Sequence, residues 1–442
     1  MLDRETPMPR TRSRISSWSA ALLTTVTAVG CATGSGDTPS PDAEPTSLTY
    51  YADAKPVLDR HCVSCHSADG AGPFALDTFD AVEPWKEAVV AAVEAGTMPP
   101  WMPDTDCRHY PGERVMSDDD KAILKQWVDD GAAEGDEADA VDVELPSLDL
   151  PNPSLSMTAA EPYTPDPARP DDYRCLLLDQ DFDVDTFITG YQVVPDKKEI
   201  VHHVLLYVVP PESLDEFNQV DAAEEGPGFT CFSDPGVDSM LFGTWVPGAP
   251  ATTLPNNIGF EVPAGSKLAM QVHYNLVDNA PVADQTAVEV QLADTTPLYS
   301  ALNLVLAESD FEVPPGQSSY VAEGTFENTF PFPVTIISSL PHMHLLGRSI
   351  RFDHVDAEGT ETCIVDIPDW DFNWQQTYDL APDDFIVVEP GESTKVTCEW
   401  DNSAENQPVV NGERLEPATV HWGEGTLEEM CVVIITAIPD RL

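Results

Sequence analysis

Residues 199–210 of the chain read EIVHHVLLYVVP, an apolar run that is typical of a buried β-strand. Two adjacent histidines stand near its start, and β-branched residues and a closing proline follow them. From residue 155 onward, similar runs of Val, Ile, Leu, Phe and Tyr alternate with Pro, Gly, Asp and Asn at a spacing of roughly 8–15 residues. This alternation predicts antiparallel β-sandwiches, and roughly 285 residues are enough for two of them.

The two sandwiches are predicted to follow each other along the chain. The segment TTPLYSALNLVLAESDFEVPPGQ, residues 295–317, ends in a proline–glycine turn before a new set of strand patterns. We therefore assign residues 157–299 to the first sandwich and 300–442 to the second, with an acidic, proline-bearing linker at 138–156. The predicted fold class is mostly β, with two tandem antiparallel, jelly-roll-like sandwiches.

The composition excludes two classes of partner. The chain carries 21 basic and 77 acidic residues, a formal net charge of −56, spread along most of its length. Such a charge repels nucleic-acid phosphates and anionic lipid surfaces. With 42% hydrophobic residues, the chain can still bury large cores.

The N-terminus has the order of an export signal. Basic residues (Arg10, Arg12, Arg14) precede an apolar and small-residue stretch at 18–29, and Gly30 and Cys31 follow it. The stretch is shorter than the ~20 apolar residues of a membrane span. We predict a signal peptide at 1–31 that resembles a bacterial lipoprotein signal, lipid attachment at Cys31, and a disordered tether at 32–48. The mature protein is then expected in the periplasm or at the cell surface.

The motif HCVSCH, residues 61–66, predicts covalent haem attachment. The thiols of Cys62 and Cys65 have the spacing that forms thioether bonds to haem vinyl groups, and His66 would then lie under the iron. The alternative is half of a zinc site, but no second ligand pair follows at a suitable spacing. Haem c is the predicted cofactor of this segment.

A methionine downstream is expected to supply the sixth ligand of the haem iron. AGTMPPWMP, residues 95–103, offers Met98 and Met102, and Met116 follows. We favour Met98, because the prolines after it hold its loop rigid. Helical patterns flank this loop, and the second one opens at Ser117 as an N-cap. Residues 49–137 therefore resemble a small class I cytochrome c domain, whose His/Met ligation suits an electron carrier.

Five of the ten histidines fall into three compact motifs in the β-rich half, at His202–His203, His273 and His342/His344. Residues two apart in a strand share a face, so the last pair can bind one metal ion. The adjacent pair cannot share a face without a bulge or a strand end. Taken one at a time, these motifs are more typical of buried, hydrogen-bonded histidines.

The order of the motifs is more specific. The sequence HH, then Q-x-H, then H-x-H-x-x-G-R, then EEMC over residues 160–440 resembles the ascorbate-dependent copper type II monooxygenases, which include the peptidylglycine α-hydroxylating and dopamine β-monooxygenases. The resemblance implies two copper ions. It assigns an electron-transfer copper to His202, His203 and His273, and an oxygen-binding copper to His342, His344 and Met430. It places Gln271 on the cleft side of the electron relay.

The resemblance further implies that the chain hydroxylates a C–H bond of a small molecule with O2. Family members take electrons from ascorbate, whereas here the fused haem domain is expected to supply them, fed by ascorbate or a redox protein. The alternative is a non-catalytic copper and haem redox protein, or a copper-binding surface lipoprotein.

Two positions depart from the family's pattern. The peptide-processing member holds its substrate's carboxylate with an arginine and a tyrosine at the positions of Leu340 and Ile434. A buried carboxylate without a cationic or hydroxyl partner is costly. We therefore expect an apolar or neutral substrate.

Six cysteines remain, and an exported protein is expected to oxidise them. The resemblance pairs the cysteine after the family's methionine with an upstream one, which here gives Cys398–Cys431. A bridge between Cys175 and Cys231 is expected within the first sandwich. Cys107 and Cys363 lie in different predicted domains, and either pairing or free thiols are compatible with the sequence.

Overall fold

A computed structural model describes residues 47–439 except 69, 170, 233, 277–278, 411 and 424. The predicted signal peptide, the lipid site at Cys31 and almost all of the tether lie outside the described residues. Within the described part of the chain, no helix is both long enough and apolar enough to cross a membrane.

The helical segment predicted from the haem motif is present. After a π-helical turn at Tyr50–Ala54, its helices are α1 (Lys55–His61), α2 (Phe79–Val82), α3 (Lys86–Glu94) and α4 (Asp118–Asp129). Helix α4 begins as predicted, because the Ser117 hydroxyl accepts a hydrogen bond of 3.1 Å from the Asp120 amide. Leu58, Leu124 and Trp127 are buried between these helices and form a small core.

The first part of the β-rich half contains ten strands and one helix. They are β1 (Leu155–Thr158), β2 (Asp171–Leu177), β3 (Thr186–Val194), β4 (Val201–Val209), α5 (Leu214–Asp221), β5 (Phe229–Thr230), β6 (Met240–Trp245), β7 (Thr252–Thr253), β8 (Ile258–Val262), β9 (Lys267–Asn275) and β10 (Ala287–Leu292). Strands β5-β2-β9-β4-β6 form one sheet, and β1, β10, β3, β8 and β7 belong to another. Apolar side chains from both sheets share one core.

The second part contains thirteen strands. They are β11 (Tyr299–Ala307), β12 (Glu312–Val313), β13 (Tyr320–Glu327), β14 (Val334–His342), β15 (Gly347–Val355), β16 (Glu361–Ile367), β17 (Tyr378–Asp379), β18 (Ile386–Val388), β19 (Ser393–Trp400), β20 (Val409–Val410), β21 (Glu413–Arg414), β22 (Val420–His421) and β23 (Val432–Pro439). Strands β13-β19-β15-β16 form a four-stranded sheet, which shares a second core with β14 and β23.

One sheet runs through both parts of the chain. Its path is β1-β10-β3-β8-β11-β23-β14-β17, and the link between the parts is the parallel pairing of β8 with β11. The sequence predicted mostly β structure, and the described residues agree. It did not predict this continuous sheet, because the parallel contact joins strands from either side of the predicted boundary.

Three disulfides stabilise this arrangement. The expected Cys398–Cys431 and Cys175–Cys231 bridges are present, and Cys107 pairs with Cys363. The Cys107–Cys363 bridge shows that these two cysteines pair, which the sequence had left open. It ties the loop between α3 and α4 to β16 of the second core.

The same loop packs onto the second core through further contacts. The Tyr110 hydroxyl is buried and donates a hydrogen bond of 2.7 Å to the Ile364 carbonyl, and the Asp104 amide donates to the Asp366 carbonyl over 2.8 Å. Trp101 lies against Tyr110, with their ring centroids 6.0 Å apart. The helical segment is therefore docked on the β-rich half.

Candidate metal centres

The paired histidines that open β4 share one face because the strand bulges between them. In the ladder between β4 and β9, His203 pairs with His273, but the register shifts between Val201 and His203. The sequence pattern allowed either a bulge or a strand end here, and the structure has the bulge. As a result, Nδ1 of His203 lies 3.3 Å from Nδ1 of His202 and 3.3 Å from Nδ1 of His273. One ligand atom from each ring lies within 4.8 Å of the others.

The electrostatics of this cluster suit a metal ion. Burial and the neighbouring His273 lower the pKa of His202 to about 4, and the same two causes hold the pKa of His203 well below its usual range. The His202 and His203 rings are therefore neutral at pH 7. The three Nδ1 atoms of the cluster converge, and protons alone cannot satisfy all of these lone pairs. Three imidazoles are a donor set that holds copper in both oxidation states.

Asp171, at the start of β2, holds the His273 ring in place. Its carboxylate accepts a hydrogen bond of 2.8 Å from Nε2 of His273, which leaves the Nδ1 lone pair facing the other histidines. Tyr173 stacks on the same ring, with centroids 4.1 Å apart and planes at 6°. The sequence analysis missed Asp171. Its role could be recognised only from strand pairing, because Asp171 shares strand β2 with Tyr173, which lies opposite His273 in the ladder.

We expect Asp171→Asn to weaken metal binding at His202, His203 and His273 by about 10- to 100-fold, as is typical when a ligating histidine loses its carboxylate partner. Copper affinity measured by competition with a chelator checks this. Asp238→Asn is the matched control, because Asp238 lines the same cavity from an exposed position. Equal affinity of the Asp171 variant and the wild type would contradict the assignment.

A second pair of histidines lies at the end of β14. His342 is the last residue of that strand, and His344 follows in the turn. The sequence analysis placed both histidines on one regular strand, and this prediction was wrong for His344. Their ring centroids are nevertheless 5.1 Å apart. Met343 between them points away as expected and is fully buried in the second core.

Hydrogen bonds leave the same nitrogen free on both rings. Nδ1 of His342 pairs with the Gln375 side-chain oxygen, and Nδ1 of His344 donates to the Glu428 carbonyl over 3.0 Å. Each Nε2 therefore carries the lone pair. Burial lowers the pKa of His342 to about 3, so this ring is neutral. Both free nitrogens and the thioether of Met430 belong to side chains that line one cavity. Two imidazoles and a thioether fit Cu(I).

Glu429 braces this second group. Its carboxylate is fully buried and accepts hydrogen bonds from the His344 amide (3.0 Å), the Leu346 amide (2.7 Å) and the Trp400 indole (2.8 Å). Burial raises the pKa of Glu429 to about 7. Because Met430 is the next residue, this one side chain links the backbone of both ligand segments. The sequence motif contains Glu429, but its role depends on these tertiary contacts.

Both groups line one cavity of about 710 Å³. Phe372 lies between them: its ring stacks on His202 at a centroid distance of 5.9 Å and meets His344 edge-on at 6.1 Å. The His202 and His344 rings are thus no more than about 12 Å apart. The sequence predicted neither Phe372 nor Gln375, since both come from the loop between β16 and β17.

The wall beside His342 is apolar. Ile434 on β23 pairs with Leu340 on one side and Val305 on the other, and the next row holds Val432 and Ala307. None of the described residues that line the cavity is a lysine or an arginine. Two lining residues, Gln271 and Asn303, also carry a buried amide atom that has no hydrogen-bond partner among the described residues.

Two features of the haem motif are compatible with the predicted covalent attachment. Among the described cysteines, Cys62 and Cys65 are the two that are not in a disulfide. Nδ1 of His66 donates a hydrogen bond of 3.0 Å to the Phe74 carbonyl, which leaves Nε2 free. Gly72 lies against this ring, since a Cβ there would be only 2.6 Å from it. These residues fit a haem with His66 as an axial ligand.

Two of the three candidate methionines are engaged elsewhere. Met116 is buried in the core of the helical segment. Met102 packs against the second core, and its sulfur accepts a hydrogen bond of 3.2 Å from the Asp371 amide. Among the described residues, Met98 takes part in neither of these cores. It stays the predicted axial ligand.

Comparison with known proteins is consistent with these two groups. Residues 300–439 match the family model of the copper type II ascorbate-dependent monooxygenase C-terminal domain. The chain is 25% identical over 265 residues to the human "Putative DBH-like monooxygenase protein 2", covering 57% of this chain and 49% of that protein. It is 23% identical to the human "DBH-like monooxygenase protein 1" over 336 residues, covering 66% and 50%. The chain thus spans about half the length of these relatives.

Similarity to solved structures is weak. The major capsid protein P2 of bacteriophage PM2 aligns with a TM-score of 0.29 and 9% identity, covering 64% of this chain and 97% of that one. A TM-score this low does not relate the two folds. The family match at 300–439 leaves the helical segment outside it.

Proposed function

We propose that this chain is an exported copper-dependent monooxygenase that hydroxylates a C–H bond of a small apolar or neutral molecule with O2. Three observations support the proposal: the family match at residues 300–439, the similarity to DBH-like monooxygenases, and the two groups of metal-ligating side chains in one cavity. The convergence of His202, His203 and His273 on one point carries most weight, because it arises from three segments and a bulge.

The proposed roles of the two metal sites follow from the ligands that each site offers. Copper supplies one-electron redox chemistry and, at the softer site, oxygen activation. His202, His203 and His273 hold the electron-transfer ion. His342, His344 and Met430 hold the oxygen-binding ion, and Gln375 and Glu429 fix the orientation of these ligands. Gln271 lines the same cavity and is proposed to order the cleft side of the electron relay.

The cavity wall determines the proposed substrate class. Leu340, Ile434 and Val305 present an apolar surface beside His342, and no cation lines the cavity within the described residues. A substrate carboxylate would lose its hydration there without a partner.

The haem domain and the location complete the proposal. Residues 49–137 are proposed to carry one haem c attached at Cys62 and Cys65, with His66 and Met98 as axial ligands. Three disulfides favour an oxidising compartment, which agrees with export to the periplasm or the cell surface. Lipid attachment at Cys31 stays a prediction.

The test is oxygen consumption by copper-loaded protein with ascorbate and a panel of neutral apolar compounds, compared with their carboxylate analogues. We expect uptake that depends on the neutral compound and disappears when copper is removed, together with a product heavier by one oxygen atom. Copper binding without any substrate-dependent uptake would favour the alternative, a non-catalytic redox or copper-binding protein.

A further inference from the structure

The haem motif lies against a turn of the first sandwich. In the turn Val246–Ala249, the Ala249 amide donates a hydrogen bond of 3.0 Å to the Val246 carbonyl. Gly248 within it faces the haem segment: a Cβ placed there would lie 4.0 Å from the sulfur of Cys65. Arg114 holds the contact by donating a hydrogen bond of 3.2 Å to the Gly248 carbonyl. The sulfur of Cys65, a proposed point of haem attachment, therefore lies close to this turn.

The other end of the same turn reaches the histidine cluster. Val246 and Pro247 line the cavity, as does Trp245, the last residue of β6. Trp245 pairs with Val204 in the ladder between β6 and β4, and Val204 is bonded to His203. A continuous path of about six residues thus runs from the Cys65 sulfur to one ligand of the first cluster.

The helical segment is held rigidly enough to keep this contact. Arg114 binds the first sandwich, while Arg108 from the same loop donates to the Cys363 and Asp384 carbonyls of the second part over 3.2 and 3.4 Å. The Cys107–Cys363 disulfide secures the loop covalently. Arg108 and Arg114 therefore fix the loop to both parts of the β-rich half.

A second contact leads toward the other metal site. Met102 accepts a hydrogen bond from the Asp371 amide, and Phe372 follows between His202 and His344. This route starts beyond the proposed axial ligand Met98 rather than at a haem-bonded sulfur. The two routes predict different electron acceptors, which an experiment can distinguish.

We propose that the turn Val246–Ala249 carries electrons from the haem at Cys62 and Cys65 to the metal held by His202, His203 and His273. The proposal rests on the proposed function above and specifies its electron input. In each transfer, Fe(II) becomes Fe(III) and Cu(II) becomes Cu(I), with no bond made or broken. Hydroxylation consumes two electrons, so ascorbate or a reduced redox protein refills the haem between transfers. The donor and the acceptor then belong to one chain, which gives them a high effective concentration.

The first experiment identifies the acceptor. Full-length protein loaded with haem and Cu(II) receives one electron at the haem by photoreduction without oxygen, and haem absorbance is followed while electron paramagnetic resonance reports Cu(II). We expect rapid haem reoxidation with loss of Cu(II) signal, complete loss of this phase in His203→Ala, and retention in Met430→Ala. Retention in His203→Ala, or loss in Met430→Ala, would overturn the proposal.

The second experiment tests the turn. Arg114→Gln removes the bond to Gly248 and is expected to slow haem reoxidation several-fold. Arg60→Gln is the matched control, because its bond to Asp120 lies within the helical segment, and it should leave the rate unchanged. Circular dichroism and the haem spectrum confirm that both variants fold. An unchanged rate in Arg114→Gln, or equal slowing in both variants, would refute a path through the turn.

A third measurement separates this proposal from the proposed function. The double variant Cys62→Ser/Cys65→Ser cannot attach haem, but ascorbate can still reduce copper directly. If it retains substrate-dependent oxygen uptake with ascorbate while the transfer experiments fail, the monooxygenase stands and the haem route falls.

Discussion

Replacing Met430 by leucine is expected to lower the rate of substrate hydroxylation by more than about 100-fold, because losing even a hydrogen-bonding partner of a metal ligand costs about 10- to 100-fold. Leucine preserves the apolar volume but removes the thioether. Copper content should fall from two ions per chain toward one, while haem content stays the same. Turnover and metal analysis on the same samples measure both effects.

Met343→Leu is the matched control for this variant. Met343 stands between His342 and His344 in sequence, yet its side chain is fully buried in the second core, away from the cavity. A leucine there should cost less than about 1.5 kcal/mol of stability and leave turnover intact. Full activity in Met430→Leu would show that the thioether is not a required ligand.

The double substitution Cys107→Ser/Cys363→Ser is expected to lower the free energy of unfolding by about 4 kcal/mol, since the bridge closes a very long loop. Its ends are separated by 256 residues, whereas the Cys175–Cys231 bridge spans 56. Urea unfolding followed by tryptophan fluorescence measures the loss. Limited proteolysis should then cut between Pro99 and Met116, where the loop is held by this bridge.

Cys175→Ser/Cys231→Ser provides the comparison. Both of these cysteines belong to the first sandwich, so their loss should destabilise that part and leave the loop after α3 resistant to protease. Cleavage of the loop in both variants to the same extent would argue against a specific role of the Cys107–Cys363 bridge in docking the helical segment.

The limits of sequence-based prediction follow from how each residue reaches the site. His202, His203 and His273 could be proposed because ligand type and strand pattern are local, and local geometry also limited the adjacent pair to a bulge or a strand end. Asp171 and Phe372 could not, since their contacts depend on which segments pack together. The loop carrying Phe372 lies about 100 residues from His273 in sequence but beside the same cavity.

The fold shows the same difference between features set by local sequence and features set by contacts between distant segments. Short apolar runs predicted mostly β structure, because alternation within a strand is a local property. The parallel pairing of β8 with β11 escaped prediction, since nothing in the pattern of either strand specifies its neighbour. The pairing of Cys107 with Cys363 also stayed open, because it links a helical segment to a distant sandwich.

The unpaired thiols of the haem motif set an order for the biogenesis of the protein. Six cysteines form disulfides, whereas Cys62 and Cys65 have to stay reduced for the proposed haem attachment. Burial raises the pKa of the Cys62 thiol to about 12, which leaves little thiolate to react with an oxidant. Because the Cys107–Cys363 bridge fixes the loop after α3 to β16, it docks the helical segment on the β-rich half. We therefore expect the proposed haem to be attached before this bridge closes.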